Sequence, residues 1–199
     1  MVELEPNFYA ELSTLDWVLL GVLVTTFLLQ VIYMLVFHVR ISLYKEKGLD
    51  GHQPPISIII CAKNEEKNLR ELIPLLMEQD YPSFQVVVVN DNSWDGSFDT
   101  LRALEVSYPN LYCIHLDEEK QLMQGKKFAL TLGIKGAKHE HLLLTDADCR
   151  PNGLHWLREM GKKWNNEKTI VLGFSPYDKT KGLLNKLIRY DALQAGMNY

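Results

Sequence analysis

Asp146 and Asp148, in the stretch HLLLTDADCRP, are the residues best placed by type and spacing to do chemistry. They follow an apolar run directly, where two carboxylates repel each other and resist desolvation. Left alone, one of the two would have a raised pKa. In extended backbone an i, i+2 spacing puts both side chains on the same face. A divalent cation removes the conflict, and hard oxygen ligands suit Mg2+ or Mn2+. Mg2+ typically takes one or two protein carboxylates and completes its shell with phosphate oxygens and water, so the natural partner is a nucleotide diphosphate. The cation would there neutralise charge that builds on a departing diphosphate.

Such a pair needs a rigid platform. HLLLTD reads as a buried strand, and four more apolar runs resemble it: ISIIICA (Ile56 to Ala62), FQVVVVN (Phe84 to Asn90), NLYCIHL and KTIVLGF. Continuous β-branched runs mark strands covered on both faces. Helical spacing separates them. NEEKNLRELIPLLMEQ puts Leu69, Leu72, Ile73 and Leu76 on one stripe, with Asn64 as the expected N-cap and a bend at Pro74. Further helices are expected over about residues 97 to 107, from Gly125, and over NGLHWLREMGKKW with Leu154, Leu157 and Trp164 inward. Residues 182 to 198 carry Leu183, Leu184, Leu187 and Ile188 at helical spacing, a stripe that would lie on the domain or on the membrane surface, with the domain as the first expectation. This alternation predicts an α/β fold, a mostly parallel sheet with helices on both faces.

In an open α/β sheet, ligands bind beyond the carboxyl ends of the strands. Lys63, Asn64 and Glu65 follow the first strand, and Asp91, Asn92 and Asp95 follow the second. With Asp146 and Asp148, acids from three strands converge on one rim. A single aspartate there would read as a turn former or helix cap; convergence reads as a site.

The chain has 199 residues, 47% hydrophobic and 23% charged, with a formal charge of −4. No basic excess serves a nucleic-acid backbone, so no nucleic-acid partner is expected. Cys61, Cys113 and Cys149 have no CxxC spacing and read as reduced residues in or near the core. WVLLGVLVTTFLLQVIYMLVFHV (Trp17 to Val39) holds no Asp, Glu, Lys or Arg. At 1.5 Å per residue it spans about 34 Å, enough for a hydrocarbon core. Its leader is acidic and lacks the basic start of a secretory signal. Arg40, Lys45 and Lys47 follow it, whereas no Lys or Arg precedes it. The positive-inside bias then puts the N-terminus outside and the remainder in the cytoplasm. The expected organisation is a short extracytoplasmic segment (1–16), a transmembrane helix (17–39), a juxtamembrane linker (40–54) and a cytoplasmic α/β domain (55–199), single-pass in the cell membrane.

Other nucleotide motifs do not match. MQGKKF has the Gly-Lys of a phosphate loop but neither its leading glycine nor the following Ser/Thr, and no GxGxxG follows the first strand. HEH at residues 139 to 141 is too tight for one zinc ion and reads as a surface turn. No nucleophile with an adjacent base is identifiable by spacing.

SIIICAKNEEKNL, VVVVNDNSWDGS, GKKFAL and LLLTDADCRP occur in the order and spacing of the family 2 glycosyltransferases, which this chain resembles over about residues 54 to 175. The resemblance implies a Rossmann-like GT-A domain taking a nucleotide-diphospho sugar, with a UDP-sugar as the first expectation. It also implies roles by position. The Ala62 backbone and Glu65 would line the nucleotide pocket, Asp91 would bind the base, and Lys126 would lie near the base or diphosphate. Asp146 would reach the ribose or metal, and Asp148 would be the principal ligand of Mg2+ or Mn2+. The acceptor, a glycan or a lipid, is not indicated.

Inverting transfer needs a general base for the acceptor hydroxyl. The family places it in a later Glu-Asp pair, and no such pair follows here. Asp178 and Asp191 are the only acids left in the tail, so the catalytic base is unassigned and the chain reads as the donor-binding half of a longer enzyme. Two other readings stay open: a nucleotidyltransferase, and a membrane-anchored fragment that binds nucleotide sugar without turnover.

Overall fold

A computed structural model describes residues 13–43, 53–116, 125–164 and 170–198. The expected loop DEEKQLMQ, most of the linker and the first twelve residues lie outside the described residues. The chain divides into two compact units, 1–48 and 49–199.

The first unit is one helix, α1 (Thr14–Ser42, 29 residues). Ser13 and Asp16 open it reciprocally: the Asp16 carboxylate accepts from the Ser13 amide at 2.8 Å and the Ser13 hydroxyl accepts from the Asp16 amide at 3.3 Å. Inside the apolar stretch, the hydroxyls of Thr25 and Thr26 donate to the carbonyls of Gly21 and Val22 at 2.7 and 3.0 Å. Neither hydroxyl is left to be solvated. Thr14–Val36 is long and apolar enough to cross a membrane by length and composition.

The second unit is built on a four-stranded sheet in the order β3-β2-β1-β4, with every neighbouring pair parallel. Its strands are β1 (Ile56–Ala62), β2 (Phe84–Asp91), β3 (Leu111–Leu116) and β4 (His141–Asp146). Helices α2 (Glu66–Met77), α3 (Ser97–Ser107), α4 (Lys126–Gly136), α5 (Trp156–Gly161) and α6 (Leu183–Asn198) complete it. The β-branched runs of β1 and β2 are central and buried on both faces, as continuous apolar strands must be.

On one face Ile58, Ile60, Val86 and Val88 pack in a core with Leu69, Leu72, Ile73 and Leu76 of α2, Leu101 of α3 and Leu157 of α5. Each of these Leu and Ile side chains contributes about 1.5–3 kcal/mol by burial. On the other face α4 lies against β1 and β2, so closely that a Cβ at Gly133 would meet Ile59 Cγ2 at 2.5 Å. Strand order, not strand direction, reverses at β1: β2 and β3 are added on one side and β4 on the other, and the crevice at that switch point opens at the strands' carboxyl ends.

Several expectations are corrected. Residues 170–174 of KTIVLGF are not a strand: Ile170 and Leu172 are 78% and 76% exposed, without the paired neighbour and covered faces that a buried strand requires. α5 starts only at Trp156, and the Gly153 and Leu154 carbonyls ahead of it accept from Gln79 Nε2 (3.0 Å) and the Asp80 amide (2.9 Å). Leu154 is therefore exposed instead of inward, while Leu157 is buried and Trp164 packs against the core. The α6 stripe does not lie buried on the domain, since Leu183, Leu184, Leu187 and Ile188 are all exposed.

Candidate functional site

The carboxyl ends of β1, β2 and β4 enclose a cleft of about 610 Å³. Ala62, Glu65, Asp91, Lys126, Asp146 and Asp148 all line it, together with Cys61, Lys63, Asn92, Gly125 and Ala147. The six residues to which the resemblance gives roles thus share one cavity, although they span more than eighty positions of the chain, whereas Asn64 and Asp95 do not line it.

Two sharp turns carry the chain off β1 and β2. Asn64 and Asn92 are the non-glycine residues with left-handed backbone among those described, at φ 58° and 51°. Asparagine tolerates this conformation better than most residues. Asn64 is consequently not the N-cap of α2, which is Glu65 with no side-chain cap of its own. The Asn64 side chain works across the rim instead, its Oδ1 accepting from the Trp94 amide at 2.9 Å. In return Ser93 Oγ accepts from the Asn64 amide (2.8 Å), Ser97 Oγ from the Glu65 amide (3.2 Å) and Asp95 Oδ2 from the Glu66 amide (3.0 Å). The loop after β2 therefore caps the helix after β1. Burial pushes the Asp95 carboxyl up, but hydrogen bonds from Ser97 and from the Glu66 and Ser97 amides outweigh it and leave it below the ordinary value. A Cβ at Gly96 would sit 2.5 Å from the Glu66 carboxylate and would displace the end of that side chain.

The β4 side is organised by charge. The strand stops at Asp146, and Asp148 is presented by the turn that follows, closed by the Cys149 amide on the Asp146 carbonyl at 3.2 Å. Strand alternation therefore does not place Asp148; a turn over buried Ala147 does. Lys126 Nζ donates to Asp146 Oδ1 at 2.7 Å, with both side chains largely exposed. That hydrogen bond and the charge of Asp146 raise the Lys126 pKa. Lys63, the other cation lining the cleft, has no ion pair among the described residues.

Cys61, expected in or near the core, instead lines the cleft with its side chain half-buried, in register with Asp146. Burial pushes its thiol up, with Lys126 opposing and Asp91 and Asp146 reinforcing the shift. Nothing in the strand pattern separates Cys61 from the apolar residues before it; its place at the last turn of the register was the available signal.

A divalent ion can be accommodated only with help from a ligand. Among the described residues no group of three or more His, Cys, Asp or Glu side chains could hold a metal. Asp146 and Asp148 supply two carboxylates, which fits Mg2+ or Mn2+ when phosphate oxygens and water complete the shell.

The model of Glycosyl transferase family 2 matches residues 57–194. The chain belongs to that family. Among its relatives are glycosyltransferase AglE of Haloferax volcanii, 32% identical over 106 residues, and the probable glycosyltransferase YdaM of Bacillus subtilis, 26% identical over 144. The matches cover 52% and 70% of this chain but 33% and 34% of those proteins, so the chain spans about a third of their length. Mannosyltransferase PcManGT from Pyrobaculum calidifontis, solved with GDP-Man and Mn2+, superposes with a TM-score of 0.61 at 24% identity, over 72% of this chain and 42% of that one. It shares the GT-A type of fold, and the family 2 chain described here carries that fold's parallel sheet with helices on both faces.

Proposed function

We propose that the cleft binds a nucleotide-diphospho sugar with Mg2+ or Mn2+ and that the protein transfers the sugar to a glycan or lipid acceptor with inversion. The observation that carries this is the convergence of Asp91, Lys63, Lys126, Asp146 and Asp148 in one cleft at the sheet's switch point. Asp91 and Asn92, on the β2 side, accept donor groups of the base, and the Ala62 backbone with Glu65 forms the adjoining wall. Lys63 and Lys126 offer two cations to the diphosphate, and the N-terminal end of α4 opens at Gly125 beside them, a favourable place for an anion. Asp146 reaches the ribose or the metal, and Asp148 holds the metal. A bound divalent ion would supply Lewis-acid stabilisation of the departing diphosphate.

A UDP-sugar is the first candidate donor; the Mn2+ and GDP-Man of PcManGT support the class of ligand. The length and apolar composition of α1 support a membrane anchor over residues 17–39, with a short outer segment (1–16), a linker (40–54) and a cytoplasmic domain (55–199). Neither Asp178 nor Asp191 lines the cleft, so the acceptor's general base is not assigned to either.

The test is turnover of a panel of UDP- and GDP-sugars with Mn2+, following release of nucleoside diphosphate by the wild type and by Asp148→Ala. Metal-dependent release that Asp148→Ala loses supports the transferase. Binding of donor without release would favour a non-catalytic fragment. Pyrophosphate release from a nucleoside triphosphate and a sugar phosphate would favour a nucleotidyltransferase and contradict the proposal.

A further inference from the structure

We infer that Arg150 is a positioning residue that sets the metal-side turn and ties it to the nucleotide-side wall, an inference that rests on the donor-site reading above. Its guanidinium divides its donors between the turn after β4 and helix α2. Nη1 donates to the Ala147 carbonyl at 3.2 Å and to the Cys149 carbonyl at 3.0 Å, the carbonyls on either side of Asp148. Nη2 donates to Asn68 Oδ1 at 2.9 Å and to Glu71 Oε2 at 3.0 Å, both on α2. Asn68 in turn donates through Nδ2 to Glu65 Oε2 at 2.6 Å, and Glu65 lines the cleft.

One planar fork thus spans from Glu65, through the Asn68 amide, to the backbone around Asp148. Fixing the Ala147 carbonyl, in the peptide plane that precedes Asp148, and the Cys149 carbonyl one peptide beyond it restricts the backbone of the turn, and with it the direction of the carboxylate. A lysine cannot reproduce this, because an ammonium lacks the rigid two-branched geometry that serves the turn and α2 at once. The Asn68 amide is oriented from both ends, its oxygen by Arg150 and its nitrogen by Glu65. The clamp is only 30% exposed at Arg150, whereas the Lys126–Asp146 pair is open to solvent, so it is the better shielded link to the β4 turn.

Partners that orient metal-ligating carboxylates typically shift metal affinity by about 10–100-fold when removed. The experiment titrates Mn2+ into the full chain with UDP present, and UDP into the full chain in EDTA, for wild type, Arg150→Ala, Arg150→Lys and Asn68→Ala. Amide hydrogen exchange over residues 146–150 is followed in ligand-free protein. Arg150→Ala should weaken Mn2+ about tenfold or more, weaken UDP in EDTA by a smaller factor and speed exchange across the turn. Arg150→Lys should stay as defective, and Asn68→Ala, which keeps the carbonyl contacts, should show a smaller loss. A purely structural role would lower the melting temperature of Arg150→Ala without moving the Mn2+ midpoint, and that result would overturn the inference, as would full rescue by Arg150→Lys. Wild-type protein that binds no UDP with Mn2+ would instead overturn the reading of the cleft itself, and the clamp's role with it.

Discussion

The two halves of the rim are built differently. The β1–β2 half rests on strands buried on both faces, and its loops are laced by side chain-to-backbone hydrogen bonds that satisfy the first amides of α2. The β4 half stands on an edge strand whose Leu144 is 55% exposed, and it is held by an exposed ion pair and one arginine. The difference matches the tasks proposed for them. A nucleoside is recognised best by a preformed wall, since ordering it on binding would cost affinity. A site for a cation and a diphosphate tolerates an exposed carboxylate pair, because the ligand itself brings the compensating charge.

Substitutions in the two strands should separate the halves most widely. Ile60→Ala, at a fully buried position of β1, should cost about 2–5 kcal/mol of unfolding free energy by chemical denaturation. Leu144→Ala on β4 should change it by less than about 0.5 kcal/mol. Comparable losses at both sites would erase the contrast.

The lacing of the β1–β2 loops gives a pH signature. Asp95 has a folded-state pKa below its ordinary 3.8, so its contribution is present above that value and is lost as pH falls through the folded pKa. Wild type should therefore lose stability on acidification below about pH 4, and Asp95→Asn should be less stable at pH 7 by about 1 kcal/mol with a flatter acid limb. Parallel acid limbs in the two proteins would show that Asp95 is not the group responsible.

The smallest effect is expected at Lys126. Its pair with Asp146 is exposed, so in ligand-free protein Lys126→Ala should cost less than about 1 kcal/mol, and less still at high salt. A larger, salt-insensitive loss would mean the β4 half is as firmly built as the other.

Most of the fold was legible because burial writes itself into sequence. ISIIICA and FQVVVVN can be little else than central strands, and Glu65 and Asp91 at their ends share one cleft with Asp146 and Asp148, while Asp95 turns to the amides of Glu66 and Ser97. What was illegible depends on partners distant in the chain. Asn64 looks like a helix cap by its neighbours, yet it serves Trp94 thirty residues away. Nothing near Arg150 announces Asn68 and Glu71. KTIVLGF has the composition of a strand, but composition records only the capacity to pair, and residues 170–174 have no strand beside them among the described residues.

The central claim is that Asp148 holds a divalent ion shared with a nucleoside diphosphate, and thermal unfolding of the full chain with UDP tests it most directly, with Mn2+ or with EDTA. At a ligand concentration of about 100 times Kd, binding adds about 2.7 kcal/mol to the folded state. The account predicts a rise in melting temperature for wild type with UDP and Mn2+ together, and loss of the Mn2+-dependent part in Asp148→Ala. Equal stabilisation of the two proteins by UDP and Mn2+ would contradict it.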